Sequence, residues 1–155
     1  MEARVVVVGL DGSDGSVAAL AASARLATVT GSRIVAVHVV RGHPIVTAAP
    51  VSGAGALAVA DDEVTDRCHL DCELALAGTD VPWQFEVRHG DPVAELARAA
   101  ADHHAMCLAI GRGVPRRFTG RSRSAVSERL VHRCDRPVLV VPPEPEPAAA
   151  PDEPS

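Results

Sequence analysis

The sequence contains no lysine and no tyrosine, and its aromatic side chains are limited to Trp83, Phe85 and Phe118. Without lysine the chain cannot be a P-loop nucleotidase, a pyridoxal-phosphate enzyme or a protein kinase, because each of these needs a lysine at its reactive centre. So few aromatic rings also argue against nucleic-acid binding by base stacking. We therefore expect no nucleic-acid partner and a core built from alanine, valine and leucine.

Long apolar runs are absent as well. No stretch approaches the ~18 residues that a helix needs to cross a bilayer, so we expect no membrane partner. The first ten residues hold a short valine run that stops before Asp11 and lacks the length of a secretory signal. We accordingly expect a cytoplasmic protein in which Cys68, Cys72, Cys107 and Cys134 are reduced thiols.

The formal net charge of −5 is unevenly distributed along the chain. Residues 1–110 carry −7, residues 111–141 carry +6 and residues 142–155 carry −4. The basic segment is the first place to look for an anionic ligand. The end of the chain, 143–155, is rich in proline, glutamate and alanine and is predicted to be a disordered tail, which leaves one domain over 1–142.

Strands and helices are predicted to alternate along this domain. Valine-rich or alternating runs predict strands, and alanine- and leucine-rich segments with start and stop residues predict helices. The predicted strands are 4–9, 33–40, 83–89, 106–110 and 137–141. The predicted helices are 16–30, 61–77, one that starts at Asp91-Pro92 and one through Val126, Leu130 and Cys134, with a long connection at 41–57. This order indicates an α/β fold with a parallel sheet and helices on both faces.

Two segments would meet at the carboxyl edge of that sheet if its first strand is central, namely the turn 9–13 and the loop 111–127. Asp11 follows the first strand, where its carboxylate could accept hydrogen bonds from a ribose or an adenine amino group, or could simply cap the turn. The loop carries five arginines within 111–124 and leads into a helix. That arrangement suits a phosphate, although a solvated basic loop has the same composition.

Other reactive side chains give weaker indications. Cys68 and Cys72 are four residues apart and share one face of a predicted helix, which fits either structural thiols or a metal or redox pair. His38 lies in a predicted strand, and His103-His104 closes a helix, where a cation suits the helix dipole. No serine lies in a catalytic sequence context with a spaced histidine and acid. We therefore expect no enzyme activity, with slow ATP hydrolysis as the remaining alternative.

Taken together, the motifs resemble the universal stress protein family. The matching segments are Val8-Gly9-Leu10-Asp11-Gly12-Ser13, Val37-His38-Val39, Gly90-Asp91-Pro92, Ile110-Gly111-Arg112-Gly113, residues 125–130 and residues 137–142. The resemblance implies a Rossmann-like, open five-stranded parallel sheet of order 3-2-1-4-5 with helices on both faces. It also implies a role in stress response, a homodimer and an unknown protein partner. The implied dimer edge is Val138, Leu139, Val140 and Val141.

Many members of this family bind ATP, so the resemblance implies an adenine-nucleotide site that takes ATP, with Mg²⁺. The implied binding residues are Gly9, Asp11, Val39, Gly111, Arg112, Gly113, Val114, Ser124, Ala125, Val126 and Ser127. The family's loop pattern Gly-x2-Gly-x9-Gly-[Ser/Thr] falls on Gly111, Val114, Ser124 and Ala125, so that only its first position matches. Val114 lacks the backbone freedom of glycine and Ala125 lacks a hydroxyl. The sequence predicts a nucleotide-binding module with a degenerate phosphate loop, the alternative being a dimeric interaction module that binds no nucleotide.

Overall fold

The computed structural model describes residues 3–42, 54–113 and 124–145, with backbone alone at 54–59 and 124–125. Most of the predicted tail, from residue 146 on, lies outside the described residues. Within the described part, strands and helices alternate. The strands are β1 (Val5–Leu10), β2 (Arg33–Val40), β3 (Trp83–His89), β4 (Cys107–Gly111) and β5 (Val138–Val141). The helices are α1 (Asp14–Thr30), α2 (Ala54–Leu76), α3 (Pro92–Asp102) and α4 (Ser124–Arg133).

The strands form one parallel sheet in the order β3-β2-β1-β4-β5. The order implied by the resemblance is therefore confirmed. From the central β1 the chain winds outward through β2 and β3, then crosses back to β4 on the other side and continues to β5. Because the winding direction reverses between β1 and β4, the connections that leave these two strands diverge and open a crevice at the carboxyl edge.

Apolar side chains cover both faces of the sheet, since successive residues of a strand point to opposite sides. Val6 belongs to a buried cluster with Leu20 that includes further side chains of α1 and α2. Val7 belongs to a second cluster with Leu96 that includes side chains of α3 and α4. All six residues of β1 are buried. The central strand is therefore enclosed on both faces, as a parallel sheet requires.

Helix ends follow their predicted signals where those signals are strong. Gly31 ends α1 in the left-handed conformation, with φ of 66°. Asp91 caps α3, and its carboxylate accepts a hydrogen bond of 3.0 Å from the Ala94 amide, with Pro92 in the first turn. The sequence interpretation of both ends is confirmed.

Helix α2 differs most from the prediction, because it begins at Ala54 rather than at Asp61 or Asp62. The segment 54–60 contains four alanines and one glycine, and alanine is the best helix former, so the segment extends the helix despite Gly55. The predicted connection at 41–57 is thus wrong for its last four residues, and residues 43–53 lie outside the described part. The starts of α1, β1 and β4 shift by only one or two residues.

The histidines at the end of α3 close the helix, as the sequence indicates. His103 caps the helix, and its Nε2 lies 2.6 Å from a carboxylate oxygen of Glu86 on β3. The ring therefore joins α3 to an edge strand through a specific hydrogen bond. His104 follows in the left-handed region, with φ of 48°.

Candidate functional site

A cavity of about 360 Å³ opens at the carboxyl ends of β1, β2 and β4. It lies where the winding direction of the sheet reverses, the position at which open α/β sheets bind ligands. Its wall includes eight residues that the resemblance assigned to a site. These are Gly9, Asp11, Val39, Gly111, Arg112, Gly113, Val126 and Ser127. Two segments a hundred residues apart in sequence are therefore adjacent in the fold.

For three further predicted residues the structure describes no side chain. Val114 lies outside the described residues, as does the rest of the arginine-rich segment 114–123. Ser124 and Ala125 are the first residues of α4, and their side chains are not described. Ser127, in the first turn of that helix, is buried and lies in the cavity wall.

The turn after β1 is organised by Asp11. One oxygen of its carboxylate accepts hydrogen bonds from the Ser13 amide, at 3.0 Å, and from the Ser13 hydroxyl, at 2.5 Å. The Ser13 hydroxyl in turn caps α1 by accepting from the Ser16 amide at 3.3 Å. Gly12 between them has φ of 78°, a conformation that glycine adopts without strain. Asp11 is thus a turn-forming residue whose carboxylate also borders the cavity.

The glycines near the ends of β1 and β4 are closely packed. A Cβ on Gly9 would lie 3.0 Å from Leu96 Cδ1 and 3.2 Å from Ile110 Cγ2. A Cβ on Gly111 would overlap the backbone of Gly15 in the first turn of α1. Gly111 therefore needs to be glycine whether or not a ligand approaches the backbone, whereas a side chain at Gly9 would require Leu96 and Ile110 to shift.

The end of β2 contributes His38, whose ring is buried in the wall of the cavity. Its Nδ1 lies 2.9 Å from the Leu10 carbonyl oxygen and 3.7 Å from Cys68 Sγ. Burial, together with the smaller effect of the nearby carboxylates of Asp11 and Asp71, raises the pKa of the Cys68 thiol to about 12. Cys68 is consequently a protonated, structural thiol at neutral pH.

Cys72 has the same character. Its side chain is fully buried in the cluster beneath α1 and α2, and burial raises its pKa to about 12. Within the part of the chain that the structure describes, no three or more His, Cys, Asp or Glu side chains are grouped to hold a metal ion. The two thiols therefore contribute to the core as small apolar groups.

Sequence reasoning missed several residues of the cavity wall. The missed residues include His38, Arg41, Asp61, Val64 and Leu96. Asp61 and Val64 lie in the middle of α2, and their part in the wall depends on how that helix packs across the sheet edge. The signal that could have indicated Arg41 is its position directly after β2, since every loop at the carboxyl edge of a parallel sheet adjoins the ligand crevice.

A model of the universal stress protein family matches residues 2–142. The chain belongs to the universal stress protein family. A member from Burkholderia pseudomallei is 26% identical over 91% of this chain and 96% of its own, with a TM-score of 0.71. No curated protein gives a significant match.

Two further solved structures share the fold at lower identity. A universal stress protein in complex with cAMP is 20% identical, with a TM-score of 0.58 over 93% of this chain and 100% of its own. One from Archaeoglobus fulgidus in complex with dAMP is 15% identical, with a TM-score of 0.59 over 90% of this chain and 98% of its own. Among the helices that the structure describes in this universal stress protein, none has the length and apolarity to span a bilayer.

Proposed function

We propose that this universal stress protein binds an adenine nucleotide, ATP or a related molecule, in the cavity at the ends of β1, β2 and β4. The observation that supports this most directly is that Asp11 and the segment 111–113 line the same cavity. Its volume of about 360 Å³ falls in the range of about 300–1,000 Å³ that small-molecule sites occupy. Relatives that bind cAMP and dAMP share the fold.

The wall has an apolar part that suits a base. Val37, Val39, Leu96, Ile110 and Val126 line it, and all belong to the second core cluster or pack against it. A flat purine would bury its faces against these side chains without requiring an aromatic platform. Backbone groups of β2 near Val39 would be available to its edge.

The polar part of the wall suits a ribose and a phosphate. The Asp11 carboxylate can accept hydrogen bonds from ribose hydroxyls. On the other side, the N-terminus of α4 with Ser127 and the guanidinium of Arg112 supplies donors and positive charge for a phosphate. Mg²⁺ would enter with the phosphates of ATP as part of the ligand.

The phosphate end departs from the family pattern, so we expect weaker ATP binding than in members with the whole motif. Only Gly111 matches, and the Gly15 backbone already accounts for that glycine. Arg112 can attract a phosphate, but one exposed charge does not replace a loop of backbone amides. Compared with members that have the whole motif, this protein should therefore bind ATP much more weakly. Nucleotides with fewer phosphates should show a smaller difference in affinity between the two.

Titration calorimetry with AMP and with ATP, each with and without Mg²⁺, tests the proposal. Saturable binding at micromolar concentration is expected. Asp11→Asn should weaken it while retaining an oxygen for the Ser13 hydrogen bonds, and Asp62→Asn, outside the cavity wall, is the control. If no heat of binding is detected up to millimolar nucleotide, the proposal is refuted and an interaction module is favoured. Phosphate release above that of a heat-inactivated sample would contradict a non-enzymatic role.

We further propose that the protein forms a homodimer through β5. Within the described residues β5 pairs with β4 alone, so its other edge presents backbone groups of Val138–Val141 for pairing. Leu139 exposes 39% of its surface. The opposite edge strand, β3, carries Gln84, Glu86 and Arg88 on one face, and charged side chains discourage edge pairing.

A further inference from the structure

The buried ring of His38 is the feature that remains unexplained by the fold alone. Only 6% of the residue is exposed, yet its side chain borders the cavity. A purely apolar side chain could fill this position on β2, where Ile34 and Ala36 already pack on the same face. A buried polar ring is costly unless its hydrogen-bonding groups are used, so each nitrogen requires an account.

The first nitrogen has a defined partner. His38 Nδ1 lies 2.9 Å from the carbonyl oxygen of Leu10. A carbonyl oxygen only accepts hydrogen bonds, so Nδ1 must carry the proton and donate it. This contact joins β1 and β2 at the last pair of the strand ladder, which runs from Val5–Arg33 to Leu10–His38. The tautomer of the neutral ring is thereby fixed.

The second nitrogen is left with a lone pair. In the neutral Nδ1–H tautomer, Nε2 is an acceptor, and no residue in the described part of the chain donates a hydrogen bond to it. Nε2 is not among the enclosed polar atoms without a partner in the described part of the chain, and His38 belongs to the wall of the cavity. One nitrogen therefore holds the ring against Leu10, and the other keeps an acceptor lone pair on a residue of the cavity wall.

We propose that His38 Nε2 accepts a hydrogen bond from the nucleoside part of the bound adenine nucleotide. The donor is either a ribose hydroxyl or the exocyclic amino group of adenine. This inference rests on the proposed function and adds the orientation of the ligand. Phosphate oxygens at neutral pH are chiefly acceptors and cannot satisfy a lone pair, so the nucleoside lies on the β2 side and the phosphates lie toward β4 and α4.

A pair of substitutions separates the two nitrogens. In His38→Asn the side-chain amide can replace Nδ1–H toward Leu10 while no atom replaces Nε2. In His38→Gln the longer side chain can place its oxygen near the position of Nε2. Calorimetric titration with AMP should show about five- to tenfold weaker binding for His38→Asn, the effect of one hydrogen bond, and a smaller loss for His38→Gln. His69→Asn, on the half-exposed side of α2, is the matched control and should bind as the unaltered protein does.

Nucleotide analogues identify the donor. Inosine monophosphate lacks the exocyclic amino group, and 2′-deoxy-AMP and 3′-deoxy-AMP each lack one hydroxyl. The analogue that lacks the partner of Nε2 should bind the unaltered protein and His38→Asn equally, while the other analogues should still distinguish them. If His38→Asn weakens all analogues by the same factor, its effect is structural and the proposal is wrong.

The outcomes also separate this proposal from the proposed function. If the unaltered protein binds no adenine nucleotide, the proposed function fails and this proposal fails with it. If AMP binds and His38→Asn binds it equally well, only the role of His38 is refuted. Nitrogen-15 spectra of the ligand-free protein give a test that needs neither variant nor ligand. They should show the proton on Nδ1 of His38, and a proton on Nε2 would overturn the proposal.

Discussion

The backbone of Gly111, at the end of β4, lies against the backbone of Gly15 in the first turn of α1. A Cβ on Gly111 would overlap both the carbonyl carbon and the carbonyl oxygen of Gly15 and would crowd the Ser16 amide. Gly111 is also the one residue that matches the family's phosphate-loop pattern in this chain. Its presence therefore follows from packing of α1 on the sheet edge and is not by itself an indication of phosphate binding.

Gly111→Ala should destabilise the protein with or without nucleotide. The added methyl group meets backbone, which cannot rotate away, so we expect a loss of about 1–3 kcal/mol in the free energy of unfolding. Urea denaturation measures it. Gly42→Ala is the control, because a Cβ there would meet nothing within 4 Å. Equal stability of the two variants would contradict the close approach of β4 and α1.

Ser23 in α1 has a fully buried hydroxyl that lacks a hydrogen-bond partner within the described residues. Ser23→Ala removes the cost of desolvating that oxygen and leaves a small volume change, so the free energy of unfolding should rise by about 1 kcal/mol. Ser16→Ala in the same helix is the contrasting variant, because the Ser16 hydroxyl donates to the Ser13 carbonyl at 2.9 Å. It should be destabilising. If Ser23→Ala unfolds at a lower temperature and a lower urea concentration than the unaltered protein, the Ser23 hydroxyl must be hydrogen-bonded in the folded state.

The buried thiols predict how stability changes at alkaline pH. Burial raises the pKa of Cys68 and Cys72 from 9.0 to about 12 in the folded protein. Below pH 9 both the folded and the unfolded chain keep these thiols protonated, and the contribution of the thiols to the free energy of unfolding is fully present. As the pH rises from 9 toward 12, the unfolded chain releases protons that the folded chain retains, so the free energy of unfolding should fall.

This fall is well suited to measurement because the chain contains no lysine and no tyrosine, whose titrations would otherwise overlap. The double variant Cys68→Ala/Cys72→Ala should show a shallower decline between pH 8.5 and 10.5. Leu76→Ala is the control, since it opens a cavity in the same cluster without removing a thiol and should keep the full slope. Constant stability of the unaltered protein up to pH 10.5 would contradict the raised pKa values.

The proposed dimer edge can be tested with two similarly exposed positions. Leu139 on β5 exposes 39% of its surface, and Val87 on the opposite edge strand exposes 40%. Leu139→Arg should convert a dimer into a monomer, because a charge at the paired edge would be buried without a partner. Val87→Arg should leave the mass unchanged. Light scattering at several concentrations measures the molar mass of each variant. A monomeric mass for the unaltered protein at high concentration would refute the dimer.

Local signals in the sequence predicted most of the elements. The bounds of β2 and β3 are as predicted, since β-branched or alternating runs are bounded there by glycine, proline or charged residues. The strand order came from the family resemblance and not from spacing, because alternation of strands and helices is compatible with several orders. The start of α2 was missed because alanine propensity outweighed a single glycine at 55.

Part of the site was also predicted from local signals in the sequence. Asp11 and Gly111–Gly113 follow strands directly, and chain order alone indicates that such residues gather at one edge of a parallel sheet. Asp61 and Val64 carry no comparable signal, because their position in the cavity wall depends on the packing angle of α2. The role of His38 could not be read from its strand pattern, since a histidine in an apolar strand gives no indication of which nitrogen is bonded.

Local propensity, composition and chain order were sufficient to predict the alternating elements, the lack of lysine chemistry and the pair of segments that line a cavity. The packed fold was needed to show that Gly111 is required by Gly15, that the Cys68 thiol stays protonated and that Nδ1 of His38 is the nitrogen bound to Leu10. Each of these depends on a distance between atoms far apart in sequence. Such distances are set by how helices pack on the sheet, and no local pattern encodes them.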